Sequence, residues 1–351
     1  MIQRFLALTK KDIINGYRNY FFVVTIFIAV FFGLVINFIV PEDTSIKPDL
    51  YIYNSYDGEY VGLMDGIIEG SQQKHSNMYM LKSKREVVEN MKDNFNSIGL
   101  VILEKSGLPN MEFIMQGYEN EKIVNTLILS MEDDIKKKIY GDINIDTIVL
   151  KQDMELADIP FNKSILPMFL VMEPVLLGFI MILALVFMEK DEGTIKSYMV
   201  SPGGVSEYLA AKIVFMIILG WISAVISTLM VVGVNADYIK LLSIVTVGGI
   251  FASGLGLIVS SFFDNLSKSM VWIMIVSILL SLPFISYFVP SFAPNYIRLI
   301  PTYSLLFAMK EAVFPTGNTA IIYNTLITFC ILAVINYILA LLVYRYNLSK
   351  M

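Results

Sequence analysis

The strongest constraint in this sequence is its long apolar runs. One covers 20–40, and five more follow at 165–188, 213–234, 241–263, 270–290 and 320–344. About 20 residues at ~1.5 Å each cross a ~30 Å hydrocarbon core. Inside such a core every backbone N–H and C=O must be satisfied within the segment, so each run is expected to be a helix. With 56% hydrophobic and 16% charged residues, and a mean hydropathy of +0.66, the chain is too apolar for an ordinary soluble protein. The first run is read as a retained anchor. It is too long for a cleaved leader, lacks a small-residue cleavage site, and stops at Pro41-Glu42-Asp43.

Between the first two runs, residues 41–164 have ordinary globular composition. Strand-like stretches at 50–53, 78–81, 98–103, 112–115 and 147–151 alternate with helical periodicity at 58–70, 85–94 and 120–140. That alternation predicts a compact α/β layer, and about 120 residues suffice for a core of its own. No catalytic constellation stands out in it. Asp133-Asp134 followed by Lys136-Lys137-Lys138 reads as a solvated helix end, and His75 as an exposed loop residue. A lone His75 excludes multi-histidine metal sites and a His relay, while a lone Cys330 excludes an internal disulfide and a Cys metal site. The net charge of −5 argues against nucleic acid as a partner.

Three smaller features are candidates for function. The first is a charged stretch, 189–212, held between two apolar runs. Charge is costly at the bilayer centre, so this stretch is expected at a membrane face, as a short helix that a partner could push. The second is Glu173-Pro174 inside the second run. A carboxylate there faces the helix bundle or a water-filled cavity; it is either a polar point on a substrate path or a partnered group that fixes packing. Pro174 also frees a carbonyl one turn back. The third is residues 1–19, where Ile2, Phe5, Leu6, Thr9, Ile13 and Tyr17 recur at helical spacing. They predict an amphipathic helix in the membrane interface, the alternative being a solvated leader. Two packing signals complete the reading. Gly249 to Ser253 and Ala252 to Gly256 have small-xxx-small spacing. A helix at 304–314, after Pro290, Pro294 and Pro301, is too short to cross and is expected to be re-entrant or interfacial.

Basic residues orient the chain. Arg4, Lys10, Lys11, Arg18, Lys190, Lys196, Lys212, Lys268, Arg345 and Lys350 fall on one side, and Lys240, Arg298 and Lys310 on the other. The bias puts both termini in the cytoplasm and 41–164 outside. The expected fold is therefore an α-helical polytopic membrane protein of six transmembrane helices with an inserted extracytoplasmic α/β domain. Its parts are an elbow helix at 1–19, a first span at 20–40, the domain at 41–164, and spans two to six at 165–344. Within the last lie a loop at 189–212 and an outer half-helix at 301–317; 345–351 forms a short tail.

The loop resembles the first cytoplasmic loop of ABC type-2 exporter permeases. The motif is Glu189-Lys190-Asp191, Gly193-Thr194, Ser201-Pro202, Glu207 and Ala211-Lys212, with Asp191 and Ala211 where the family more often has Glu and Gly. Pro301-Thr302-Tyr303, Lys310 and Gly317 are similar to the family's outer segment, which more often has Arg at the Lys310 position. The resemblance spans essentially the whole chain. It implies a permease subunit of an exporter in the plasma membrane, paired with a second permease as homo- or heterodimer and driven by separate ATPase subunits that hold the ATP and Mg. Glu189, Lys190, Asp191, Glu192, Gly193, Thr194, Ser201, Pro202, Glu207 and Lys212 would couple to the ATPase, with Glu189 and Glu192 in contact with it, and Glu173 would lie on the path. The chain itself holds no P-loop, zincin motif, nucleophile elbow or dinucleotide fingerprint, so no cofactor or metal is expected on it. Two other classes compete: a membrane-anchored sensor whose outer domain binds a ligand, and a membrane-embedded lipid-modifying enzyme. The latter is disfavoured by the lack of His and clustered acids.

Overall fold

The computed structural model describes residues 2–42, 49–58, 61, 77–94, 96–105, 108–115, 159–195, 204–289 and 292–348. The chain divides into two compact units, one of residues 1–44, 154–284 and 299–351, the other of 45–153 and 285–298. Among the described residues, six helices are long and apolar enough to cross a membrane. We number the helices α1 (Ile2–Arg18), α2 (Phe21–Phe38), α3 (Lys84–Asp93), α4 (Phe161–Asp191), α5 (Val205–Val231), α6 (Tyr238–Phe262), α7 (Leu266–Phe288), α8 (Pro301–Val313) and α9 (Thr319–Leu348).

All six expected spans are present, but their ends move. The second runs from Phe161 to Asp191, past both expected limits of 165 and 188. The third starts at Val205 rather than at 213. Glu207 and Lys212, read as loop residues, therefore sit on a spanning helix. Within α4, Met172–Leu177 opens into a π turn. Pro174 supplies no N–H and cannot complete the ordinary ladder, and the wider turn absorbs the defect. Gly220 lies opposite: a Cβ there would come 3.2 Å from Val245 and 3.4 Å from Pro174.

Burial between helices gains little from the hydrophobic effect when lipid is the alternative. Close fit and polar links must hold the bundle, and both are visible. On α6, a Cβ on Gly256 would come within 2.4 Å of Ile182 and 2.9 Å of the Phe179 carbonyl; one on Gly254 would meet Asn336 at 2.9 Å. The small-residue stripe is thus a contact surface for α4 and α9. Asn336 donates from Nδ2 to the Phe251 carbonyl at 3.2 Å, and Asn37 donates likewise to the Met230 carbonyl at 2.9 Å. Helix α8 starts at Pro301, three residues before the expected 304, and buries Thr302, Leu305, Leu306, Ala308, Met309, Glu311, Ala312 and Val313. Its Glu311 accepts from Thr316 N (2.9 Å), Thr316 Oγ1 (2.6 Å) and Asn318 N (3.0 Å), tying down the turn into α9.

In the second unit, β1 (Asp49–Asn54), β2 (Met78–Met80), β3 (Ser97–Lys105) and β4 (Leu108–Ile114) form a sheet of order β2-β1-β3-β4. The first three are parallel and β4 is antiparallel to β3. Helix α3 is capped by Ser83, whose Oγ accepts from Glu86 N at 3.2 Å. Its Val87 and Met91 lie over Gly99 of β3, where a Cβ would come within 2.7 Å of both. Ile52, Tyr56, Leu100 and Ile102 form the core. Four expected strands and the 85–94 helix match these elements. The expected elements at 120–140 and 147–151, nearly all of 58–70, His75 and the 133–138 charge run lie outside the described residues.

Candidate functional site

The charged stretch brings together residues that are far apart in sequence. At the loop-side ends of α4 and α5, Glu189 and Lys212 form an ion pair at 2.7 Å, both fully buried. Two residues of α1 join it. Asp12 Oδ1 lies 3.4 Å from Lys212 Nζ, and Lys11 Nζ lies 3.1 Å from Glu189 Oε1. Tyr208 donates its hydroxyl to Glu189 Oε2 at 2.6 Å, and its ring lies 4.6 Å from Lys212 Nζ. Two carboxylates face two ammonium groups, so the cluster is formally neutral. Burial holds the Asp12 carboxyl above its ordinary value, with Lys212 pulling the other way.

A helix that buries a carboxylate must come close to its neighbour. Gly16, one turn beyond Asp12, permits this: a Cβ there would sit 2.2 Å from the Phe215 ring. The buried face of α1 is Thr9, Asp12 and Gly16, while Ile2, Leu6 and Tyr17 are exposed. Of the expected apolar stripe, Thr9 is buried and Ile13 packs on the core that surrounds the cluster. Helix α1 thus packs a small and polar face against α5, where Asp12 meets Lys212.

The remaining loop residues have separate tasks. Lys190 donates to the carbonyls of Ser260 and Phe263, both at 2.6 Å, and so caps the C-terminal end of α6. Asp191 and Glu192 are exposed. Gly193 turns the chain at φ +68°, where a side chain would be strained, and the Thr194 hydroxyl lies 3.4 Å from Glu192. Glu207 is buried in the first turn of α5, and its Oε2 has no hydrogen-bond partner among the described residues. Ser201 and Pro202, and the expected short helix between the spans, lie outside the described residues. Glu189, expected among the contact residues, is enclosed at 0% exposure, unlike Asp191 and Glu192. The charge pattern was legible in sequence; its partners were not, because Asp12 is 200 positions from Lys212.

A second site lies along the spans. Glu173, on the π turn of α4, is 4% exposed and accepts a hydrogen bond from Ser223 of α5. Beside it is a cavity of about 420 Å³ walled by Ile28 and Phe32 of α2, Phe169, Met172, Glu173, Leu176, Leu177 and Ile180 of α4, and Ser277, Ile278, Ser281 and Phe284 of α7. Sequence reasoning found Glu173 but had no means to place Ser223 or the cavity beside it.

Six helices able to span a membrane, a carboxylate-bearing cavity between three of them, and a charge cluster joining α1 to the facing ends of α4 and α5 fit a membrane protein of the transport class. The chain belongs to the ABC-2 transporter family: residues 17–342 match the family described as ABC-2 family transporter protein. It is accordingly a permease component of an ABC transporter. Neither a curated protein nor a solved structure matches the chain significantly.

Proposed function

We propose that this chain is the permease subunit of an ATP-binding-cassette exporter in the plasma membrane. Separate ATPase subunits, which hold the ATP and Mg, drive it, and a second permease completes the route. Both termini are cytoplasmic and 41–164 lies outside, as the basic-residue bias requires. Family membership supports the partnership with ATPases.

The observation that carries the reading is the cluster in which the half-exposed Lys11 joins the enclosed Asp12, Glu189, Lys212 and Tyr208. It fastens α1, the end of α4 and the start of α5 into one piece. A displacement of the 189–212 loop by an ATPase is then passed to both spans instead of being absorbed at their ends. Asp191 and Glu192, exposed beside the cluster, meet the ATPase. Glu189 and Lys212 transmit the movement from inside, Lys190 carries it to α6 through its carbonyl contacts, and Gly193-Thr194, Ser201-Pro202 and Glu207 shape the loop. The spans exchange between inward- and outward-open packings.

The test uses the exposed pair. Asp191→Lys with Glu192→Lys should abolish co-purification of the cognate ATPase while leaving the permease folded. Retained ATPase capture with normal ATP turnover would remove these residues from the contact.

A further inference from the structure

We propose that the cavity beside Glu173 binds an amphiphilic organic cation, a monovalent charge carried on a bulky apolar body. The inference deepens the permease reading and rests on it for the claim that the ligand is cargo; the binding itself does not depend on an ATPase.

The cavity's volume of about 420 Å³ falls within the roughly 300–1,000 Å³ of small-molecule sites. Its wall is apolar except for three side chains: Glu173, Ser277 and Ser281. Ser281 is committed, donating to the Ile278 carbonyl at 2.9 Å. Ser277 Oγ is enclosed and has no hydrogen-bond partner among the described residues. Glu173 has one, Ser223, among the described residues. A carboxylate has about four acceptor positions, so it retains capacity for a ligand, and a buried polar group left unmade is costly. The wall therefore presents a single ionisable carboxyl and an unused hydroxyl in an otherwise oily chamber.

That chemistry selects a ligand class. An anion would face Glu173 with no cation to offset it. A hard inorganic cation takes about six or more oxygen ligands, and this wall cannot furnish them. A neutral lipid would leave the carboxylate uncompensated. An organic cation satisfies both parts: its charge pairs with Glu173 and its body fills the apolar volume. Phe32 and Phe169, stacked with centroids 4.6 Å apart, add ring faces that favour a cation.

Position agrees with this. Glu173 lies twelve residues into a helix of 31, about 18 Å from its start at ~1.5 Å per residue, so a ligand there sits deep between the two membrane faces. Rim residues Met172, Ile180 and Ile278 are 41%, 38% and 59% exposed, so the mouth opens sideways out of the bundle. A ligand already dissolved in the bilayer can enter without crossing water.

The probe is tetraphenylphosphonium, with tetraphenylborate as an anion of matching shape. Both are titrated by equilibrium dialysis into the purified permease in lipid nanodiscs, with empty nanodiscs as background. We expect saturable binding of the cation, weakened at least tenfold by Glu173→Gln and less by Glu173→Asp. Residual borate binding should not weaken in Glu173→Gln. Should Glu173→Gln fail to fold, Ser277→Leu, which fills the chamber from an apolar helix, should abolish cation binding. No saturable cation binding, equal affinity in Glu173→Gln, or unchanged binding in Ser277→Leu would each overturn the proposal. The Asp191→Lys, Glu192→Lys variant separates the two readings. It should lose the ATPase yet bind the cation like the wild type. Cation binding with no ATPase partner sinks the transport reading alone; ATPase coupling with no cation binding sinks this inference alone.

Discussion

Two buried carboxylates on one helix meet opposite fates. Glu189, at the end of α4, is surrounded by Lys212, Lys11 and Tyr208. Glu173, sixteen residues earlier, has Ser223 and an oily cavity. Taking an ion out of water costs several kcal/mol even after relaxation. The first site offsets that cost within the chain and becomes a fixed joint. The second leaves it partly uncompensated and is free to respond to a ligand. Burial alone therefore does not distinguish structure from function in these spans; the number of partners does.

The largest expected effect is at the joint. Lys212→Met leaves Glu189 and Asp12 without their shared ammonium, and breaking a buried pair from one side costs about 3–5 kcal/mol. The detergent-solubilised protein should lose most of its melting temperature or its yield. Adding Glu189→Gln should recover part of the loss, and an absence of recovery would show that the pair is not coupled. Next is Gly16→Val. Its branched side chain meets the Phe215 ring, and overpacking costs about 1–3 kcal/mol. A spin label on α1 should become mobile while one on α5 does not. Tyr208→Phe removes a hydrogen bond to a charged group, worth about 1.5–3 kcal/mol, and should lower the melting temperature less than Lys212→Met does.

The smallest effect is a pH trend. Asp12 binds its proton more tightly in the folded chain than in the unfolded one, because its value is raised from 3.8. Its contribution to stability is complete below 3.8 and declines as pH rises to the folded value. The melting temperature of Asp12→Asn should therefore gain on the wild type as pH rises through that window. The opposite trend would mean that Lys212 outweighs burial at this carboxyl.

The spans were legible because the bilayer fixes their length and composition, and 213–234 and 241–263 fell inside α5 and α6 apart from their last residues. Their ends were not. Hydropathy stops at the first charge, yet α5 runs eight residues before 213 because Lys212 finds its counter-charges on α4 and α1. The amphipathic pattern of 2–18 announced a helix but not which residues it packs inward, since Thr9, Asp12 and Gly16 become buried only where Phe215 and Lys212 lie opposite. Glu173-Pro174 marked an irregular place in a span. The Ser223 hydroxyl and the other walls of the chamber beside it come from three other helices, α5, α2 and α7.

Sequence alone determined six spans, an α/β insert and a polar loop between two of the spans, because solvent and lipid act on each residue locally. Tertiary structure alone decided which charges are neutralised and which stay available. That choice depends on groups up to 200 positions apart meeting within 3.4 Å, a proximity no local pattern encodes.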